Sequence, residues 1–434
     1  ANGKEIPNWM TVMKPSVLKF LTKEEVAKWN ITSANSFNEW MKILPSAQEI
    51  ASWAWAGRAK RGWYRYTNKV FNMVFGSDTH RVCLLMAALS PQCSVEINVE
   101  NTMRVWTAWL KDTENRNNLI KDLESKGEKF WWVEEYVTEK GNKGQKLHCP
   151  YIEELIANNV REDPARADDP DYDGPALPAW IPNAIRALVA EDPLTVTLSG
   201  PKVDSFAASL VGYQRAVAND THQADLFGIA QKELSGSINR AGTDPGRRPA
   251  YLALSAITRK AADILTRETG EVWTAVEVQE TTWSLTKWLK DKLAKVAKSP
   301  KEFTELLFSG NITHGDIASV PDLGTLLQTP LFREMLKEVG YGSQLEGLKG
   351  TSFHTDPEVG GGVDRASWNT SVASNEGLPQ GLERTFRRNL ERSSERIGRI
   401  VIERRETSRN ADTSTATPEP APAPEPQPVA FALR

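Results

Sequence analysis

Between Leu198 and Leu226 the chain reads LSGPKVDSFAASLVGYQRAVANDTHQADL, which begins two helices in close succession and sets a lysine at the first start and an aspartate at the second. Gly200-Pro201 opens the first helix, because proline is tolerated at a position whose N–H would make no helical hydrogen bond. Val203, Phe206, Ala207, Leu210 and Val211 recur at helical spacing and give it one apolar face. Lys202 then falls in the first turn, where the helix dipole disfavours a cation. Gly212 stops the helix, and after a short link Asp220 stands as a natural N-cap for a second one running through Leu226, Phe227 and Ile229.

The rest of the chain is helical by period, with no strand-rich region and no internal repeat, so the body is expected to be mostly α. Its 434 residues leave room for a sizeable core, and 40% hydrophobic with 25% charged residues is ordinary globular composition. A formal net charge of −3 excludes a uniformly basic surface and confines any nucleic-acid contact to local patches. Cys83, Cys93 and Cys149 are odd in number and form no C-x-x-C pair, so neither a disulfide framework nor a metal cluster is supported. His148-Cys149 lacks further ligands at metal spacing, and no metal or cofactor is expected. No apolar run is long enough for a membrane span and no signal-peptide layout opens the chain, so a cytoplasmic location is expected. Ten of the 15 tryptophans lie at or before Trp132, which points to an aromatic-rich core in that part of the chain.

Residues 1–45 read as a packing arm punctuated by prolines, and 46–340 as the main helical domain, with 141–180 as an insertion or connecting loop. Within the domain, Arg58, Lys60, Arg61 and Arg65 interleave with Trp63, Tyr64 and Tyr66. Cations that neutralise phosphates beside aromatic faces that stack on bases make this a candidate nucleic-acid patch, although a solvated helix face fits the same pattern. Ser90-Pro91 breaks two helices and exposes Gln92 at the junction, where it could enter a duplex as a probe. Arg247 and Arg248 sit in a later loop and are further candidates for DNA contact. Residues 341–406 read as a glycine-containing linker and a basic amphipathic helix, and 407–434 as a solvated Pro/Ala/Glu-rich tail.

With these residues in view, the chain resembles the helix-hairpin-helix DNA glycosylases, the superfamily of endonuclease III and the 8-oxoguanine DNA glycosylases. In that family a Gly-x-Lys step opens a helix after a hairpin, and an aspartate in a Val-Asp-x-His context begins the next one. Gly200-Pro201-Lys202 and Asn219-Asp220-Thr221-His222 stand in those places, and Leu89-Ser90-Pro91-Gln92 looks like the Leu-Ser-x-Gln segment that carries the family's duplex-probing glutamine. Family hairpins read Gly-x-Gly-x-Lys; here Leu198 occupies the first glycine position and Pro201 removes an N–H. Residues 45–290 also look like uncharacterised proteins of bacteriophages and mobile elements, which bring no established activity.

The resemblance implies a helix-hairpin-helix glycosylase-like domain with an N-terminal arm and a flexible C-terminal extension. It further implies a DNA partner carrying a damaged or modified base, Lys202 and Asp220 as the catalytic pair, and Gln92 and Gly200 as DNA-contacting residues. Lys202 would attack the sugar C1′ and Asp220 would offset the positive charge that develops there. Two readings of other classes fit the same residues. One is a phage enzyme that modifies or processes an unusual base, and the other is a non-catalytic DNA-binding or virion-associated module docked through its C-terminal region.

Overall fold

Side-chain caps fix several of the helix starts along the chain. Ser46 accepts the Glu49 N–H, Ser94 the Ile97 N–H and Ser299 the Glu302 N–H, while Thr274 and Glu277 form a reciprocal capping box. The computed structural model describes residues 36–137, 143–161, 179–229, 231, 234, 249–309, 323–348 and 383–414. Residues 1–35, residues 141–142 and 162–178 of the expected insertion, the glycine-containing link, the stretch with Arg247 and Arg248, and the tail after 414 lie outside the described residues.

The described chain is mostly helical. Helices α1 (Ser36–Ile43), α2 (Ala47–Ala56), α3 (Trp63–Phe75), α4 (Thr79–Ala88), α5 (Val95–Lys111) and α6 (Thr113–Ser125) come first. Strands β1 (Trp132–Val137) and β2 (Lys143–His148) then form an antiparallel hairpin, with Trp132 opposite His148. Helices α7 (Pro150–Asn159), α8 (Trp180–Val189), α9 (Pro201–Leu210) and α10 (Thr221–Phe227) follow. The long α11 (Pro249–Thr269) and α12 (Ala275–Val296) lead to α13 (Pro300–Leu307), α14 (Leu323–Leu327), α15 (Pro330–Glu338), α16 (Gly342–Glu346) and α17 (Glu383–Ser414).

Two hydrophobic cores organise these helices. The first gathers Phe71, Leu85, Met103, Ile152, Ile185, Leu210 and Leu336 from α3, α4, α5, α7, α8, α9 and α15. The second gathers Ile50, Trp53, Leu254, Leu285, Phe303 and Leu390 from α2, α11, α12, α13 and α17. Gly57, just after α2, packs directly against α12: a Cβ there would lie 2.3 Å from the Thr281 carbonyl oxygen. The apolar face of α9 faces the first core and that of α10 the second. The stretch from Leu198 to Leu226 therefore crosses between them.

Two expectations change. The segment after Phe130 holds a β-hairpin whose first strand is exposed along its whole length, with Trp132 stacked on His148 at 5.5 Å between ring centroids. Six-residue strands leave too weak a period to separate from a loop. The basic helix near the C-terminus is not an appendage: Phe386, Leu390, Ile397 and Ile402 of α17 are buried in the second core. Its cations also hold the body, since Arg396 pairs with the buried Glu49 at 2.6 Å and Arg404 with the buried Asp225 at 2.7 Å. Tyr341, Leu345 and Leu348 likewise belong to the first core rather than to a linker.

Leu390→Ala should therefore lower unfolding stability by roughly 2–5 kcal/mol, as for other fully buried leucines. Urea unfolding checks this, and an unchanged midpoint would place α17 outside the fold.

Candidate active site

Lys202 is presented by the first turn of α9, where Gly200 adopts φ 103° so that Pro201 can start the helix. Its side chain runs back toward the break between α4 and α5. The amine donates to Ser90 Oγ at 2.8 Å and lies 5.1 Å from the centroid of the Phe206 ring. Burial lowers its pKa from the ordinary lysine value, and the negative charge of Asp220 and the nearby Cys93 oppose that shift. The amine is thus held closer to its neutral, nucleophilic form than a surface lysine.

Asp220 caps α10. Its Oδ1 accepts the backbone N–H groups of His222 at 2.9 Å and Gln223 at 3.2 Å, and its Oδ2 accepts the Trp283 Nε1–H at 2.7 Å. The carboxylate is fixed in place from three directions. The Trp283 ring also meets His222 edge-on at 5.4 Å between centroids. No ion pair joins Lys202 to Asp220 directly among the described residues, but both line one cleft of about 660 Å³, the size of a small-molecule site.

Tyr251 on α11 sets the two helix starts relative to each other. Its buried hydroxyl lies 2.7 Å from the Val217 carbonyl and 3.0 Å from the Pro201 carbonyl, and it accepts the Asn219 N–H at 3.3 Å. Asn219 is tied to the same helix through Tyr251 O and Ser255 Oγ. One phenol thus touches the residue before Lys202 and the residue before Asp220. Burial pushes its pKa up, so it stays a neutral donor.

The cleft lies between the two cores. Its walls are aromatic, with Trp63, Phe206 and Trp283, and its floor includes the buried Glu280. Glu280 accepts the Tyr64 N–H at 2.8 Å and also the Gly62 N–H, so a carboxylate from α12 caps α3. Burial raises its pKa, an effect that the amides of Gly62, Trp63 and Tyr64 partly offset. Gln92 stands exposed at the cleft, and at φ 57° it is the one non-glycine residue with positive φ among those described. Such backbone costs energy and is retained where the surroundings over-determine it, most often at functional positions.

The sequence-derived candidates separate into groups. Lys202, Asp220, Gln92 and Gly200 all line the cleft. The hairpin before α9 is closed on itself, however: the Leu198 N–H donates to Asp204 Oδ1 at 2.9 Å and the Ser199 N–H to Asn183 Oδ1 at 2.6 Å. Those two amides are spent inside the protein and cannot cradle a phosphate. The expected basic patch also fails to assemble. Arg58, Lys60 and Arg61 are buried; Arg58 stacks on Trp55 and bonds the Trp55 carbonyl, while Arg61 stacks on Trp273, pairs with Glu271 and bonds the Val272 carbonyl. Planar guanidinium groups beside tryptophans satisfy helix-end carbonyls, and a repeating basic-aromatic pattern does not distinguish that role from base stacking. Arg65 is exposed on α3, as is Lys69.

Sequence reasoning missed Ser90, Trp283 and Tyr251. Ser90 stands in the sequence as a helix break within the Leu-Ser-x-Gln segment, and nothing local singles out Trp283 or Tyr251. Their donor atoms reach the site across sequence separations that no local pattern encodes.

A model for a family of unknown function (DUF7178) matches residues 158–290, which span Lys202, Asp220 and Trp283 but not Ser90 or Gln92. No curated protein and no solved structure matches the chain.

Two outcomes follow from this geometry. Tyr251→Phe removes the hydroxyl that bridges Pro201 to the Val217–Asn219 turn, whose own N–H···O=C bond at 3.1 Å remains, and should cost about 0.5–1.5 kcal/mol in denaturant unfolding. Asp220→Asn removes the charge that opposes desolvation, so the pKa of Lys202 should fall further below its ordinary value. An NMR titration of methyl-labelled lysine reads this directly, and an upward shift would contradict the electrostatics.

Proposed function

We propose that this protein is a DNA N-glycosylase with β-lyase chemistry, acting on a damaged or modified base through Lys202 and Asp220. The observation that carries this reading is the convergence of a desolvated lysine, a rigidly held carboxylate and a strained, exposed glutamine on one aromatic-walled cleft. In this mechanism the neutral Lys202 amine attacks the sugar C1′. The C1′–N bond breaks, its electron pair leaves with the base, and the base takes up a proton. The bound amine then gives up one of its two protons, the ring oxygen takes up a proton as the sugar ring opens, and the resulting protonated Schiff base undergoes β-elimination that cleaves the strand on its 3′ side.

Asp220 offsets positive charge developing on the sugar, from a position fixed before substrate arrives. Gln92 fills the gap left by the extruded nucleotide, whose base is received between the cleft's aromatic rings. Because the hairpin amides are occupied, backbone contact falls to exposed cations such as Arg65 and Lys69 on α3, the helix whose Trp63 lines the cleft. DNA is the partner this reading requires, in the cytoplasm of the cell that makes the protein. No described helix is long and apolar enough to cross a membrane.

The closed hairpin also favours a second reading, in which the same cleft modifies an unusual base of phage DNA and Asp220 is needed while Lys202 is not. Borohydride trapping on duplex DNA containing an abasic site separates the two. The wild-type protein should form a covalent complex, Lys202→Ala should form none, and Asp220→Asn should retain DNA binding in gel shifts while trapping falls about a hundredfold or more. Equal trapping by wild type and Lys202→Ala would end the lysine assignment.

A further inference from the structure

We propose that His222 is a catalytic proton carrier of the same cleft, taking the proton that the Lys202 amine must lose and delivering it to the leaving group. This rests on the glycosylase/lyase reading above and adds to it a residue that the lysine–aspartate pair leaves unused. A lysine nucleophile needs an acceptor for its proton, and the Asp220 carboxylate is poorly placed to serve. Both of its oxygens are already committed, to two backbone amides and to the Trp283 indole. Ser90, the amine's hydrogen-bond partner, is not basic enough to hold a proton.

His222 has the opposite character. It lines the cleft with Lys202 and Asp220, and neither ring nitrogen has a hydrogen-bond partner among the described residues. Nδ1 is enclosed by protein, which leaves Nε2 to face the cleft. The ring is held by the edge of Trp283, and its backbone N–H is held by Asp220, so it is positioned without being consumed.

The charged groups around it favour the neutral form that can accept a proton. Burial lowers its pKa first; Asp220 opposes this, Lys290 and Lys287 add to it, and Asp225 opposes it weakly. Asp225 is itself neutralised by Lys290 and by Arg404 from α17. Lys287 is paired with Asp291 at the cleft.

The proton balance closes within the site. Lys202-NH₃⁺ gives one proton to neutral His222 Nε2, and the amine forms its bond to C1′. The imidazolium then returns that proton to the departing base nitrogen, or, on an abasic sugar, to the hydroxyl that leaves the carbinolamine as water. No other reactant is needed.

The test uses the full chain and a duplex with one abasic site, following single-turnover borohydride trapping from about pH 4.5 to pH 10. For wild type the rate should fall on the acid side, with a midpoint that coincides with the His222 titration seen by NMR in the same protein. His222→Gln should trap about a hundredfold more slowly near neutral pH, with the deficit shrinking to a few-fold as pH approaches the range where lysine ionises unaided. A purely structural role would give the same deficit at every pH, and that result would overturn the proposal. So would a wild-type acid limb that does not coincide with the His222 titration, a measurement that needs no variant to fold. Absence of any Lys202-dependent trapping by wild type would instead defeat the glycosylase/lyase reading itself, and His222 with it.

Discussion

One buried hydroxyl holds this site together. Tyr251 sits on a helix of the second core, yet its oxygen meets the Pro201 carbonyl at the start of α9 and the Val217 carbonyl and Asn219 amide just before α10. Lys202 and Asp220 belong to helices that pack into different cores, so nothing in the helices themselves fixes their separation. A single phenol bonded to both approaches converts two independent helix starts into one constellation. Low dielectric around it makes those bonds strong and makes their loss costly.

The same burial supplies the chemistry. Desolvation weakens the proton affinity of Lys202 and of His222, while the Asp220 carboxylate is held by three N–H donors. Opposite demands on neighbouring groups are thus met by different surroundings a few side chains apart. The second core also reaches the site from behind, since Arg396 bonds the Leu226 carbonyl at 2.8 Å and Arg404 meets Asp225, both on α10. The C-terminal helix is therefore part of what holds Asp220 in place.

Much of this was legible in the sequence because it is local. Gly200-Pro201 and Asp220 are start signals whose physics acts within one turn, and both open helices as expected. The helical period, the junction at Ser90-Pro91 and the placement of Gln92 there were readable for the same reason. What was not legible depends on partners far along the chain. Arg58 and Arg61 looked like surface cations until Trp55 and Trp273 were seen stacked against them. The Leu198 and Ser199 amides of the hairpin are taken by the Asp204 and Asn183 side chains, pairings that the hairpin's own residues do not announce. The amphipathic face of α17 was visible, but no periodicity says what such a face will pack on.

The lysine chemistry turns on which atom of the protein bonds to the sugar. Borohydride-trapped complex formed on abasic duplex DNA can be digested and the modified peptide sequenced by mass spectrometry. The adduct should lie on Lys202, within the peptide that begins the α9 helix. An adduct on another lysine or on the N-terminal amine would contradict the assignment, whatever the geometry of the cleft.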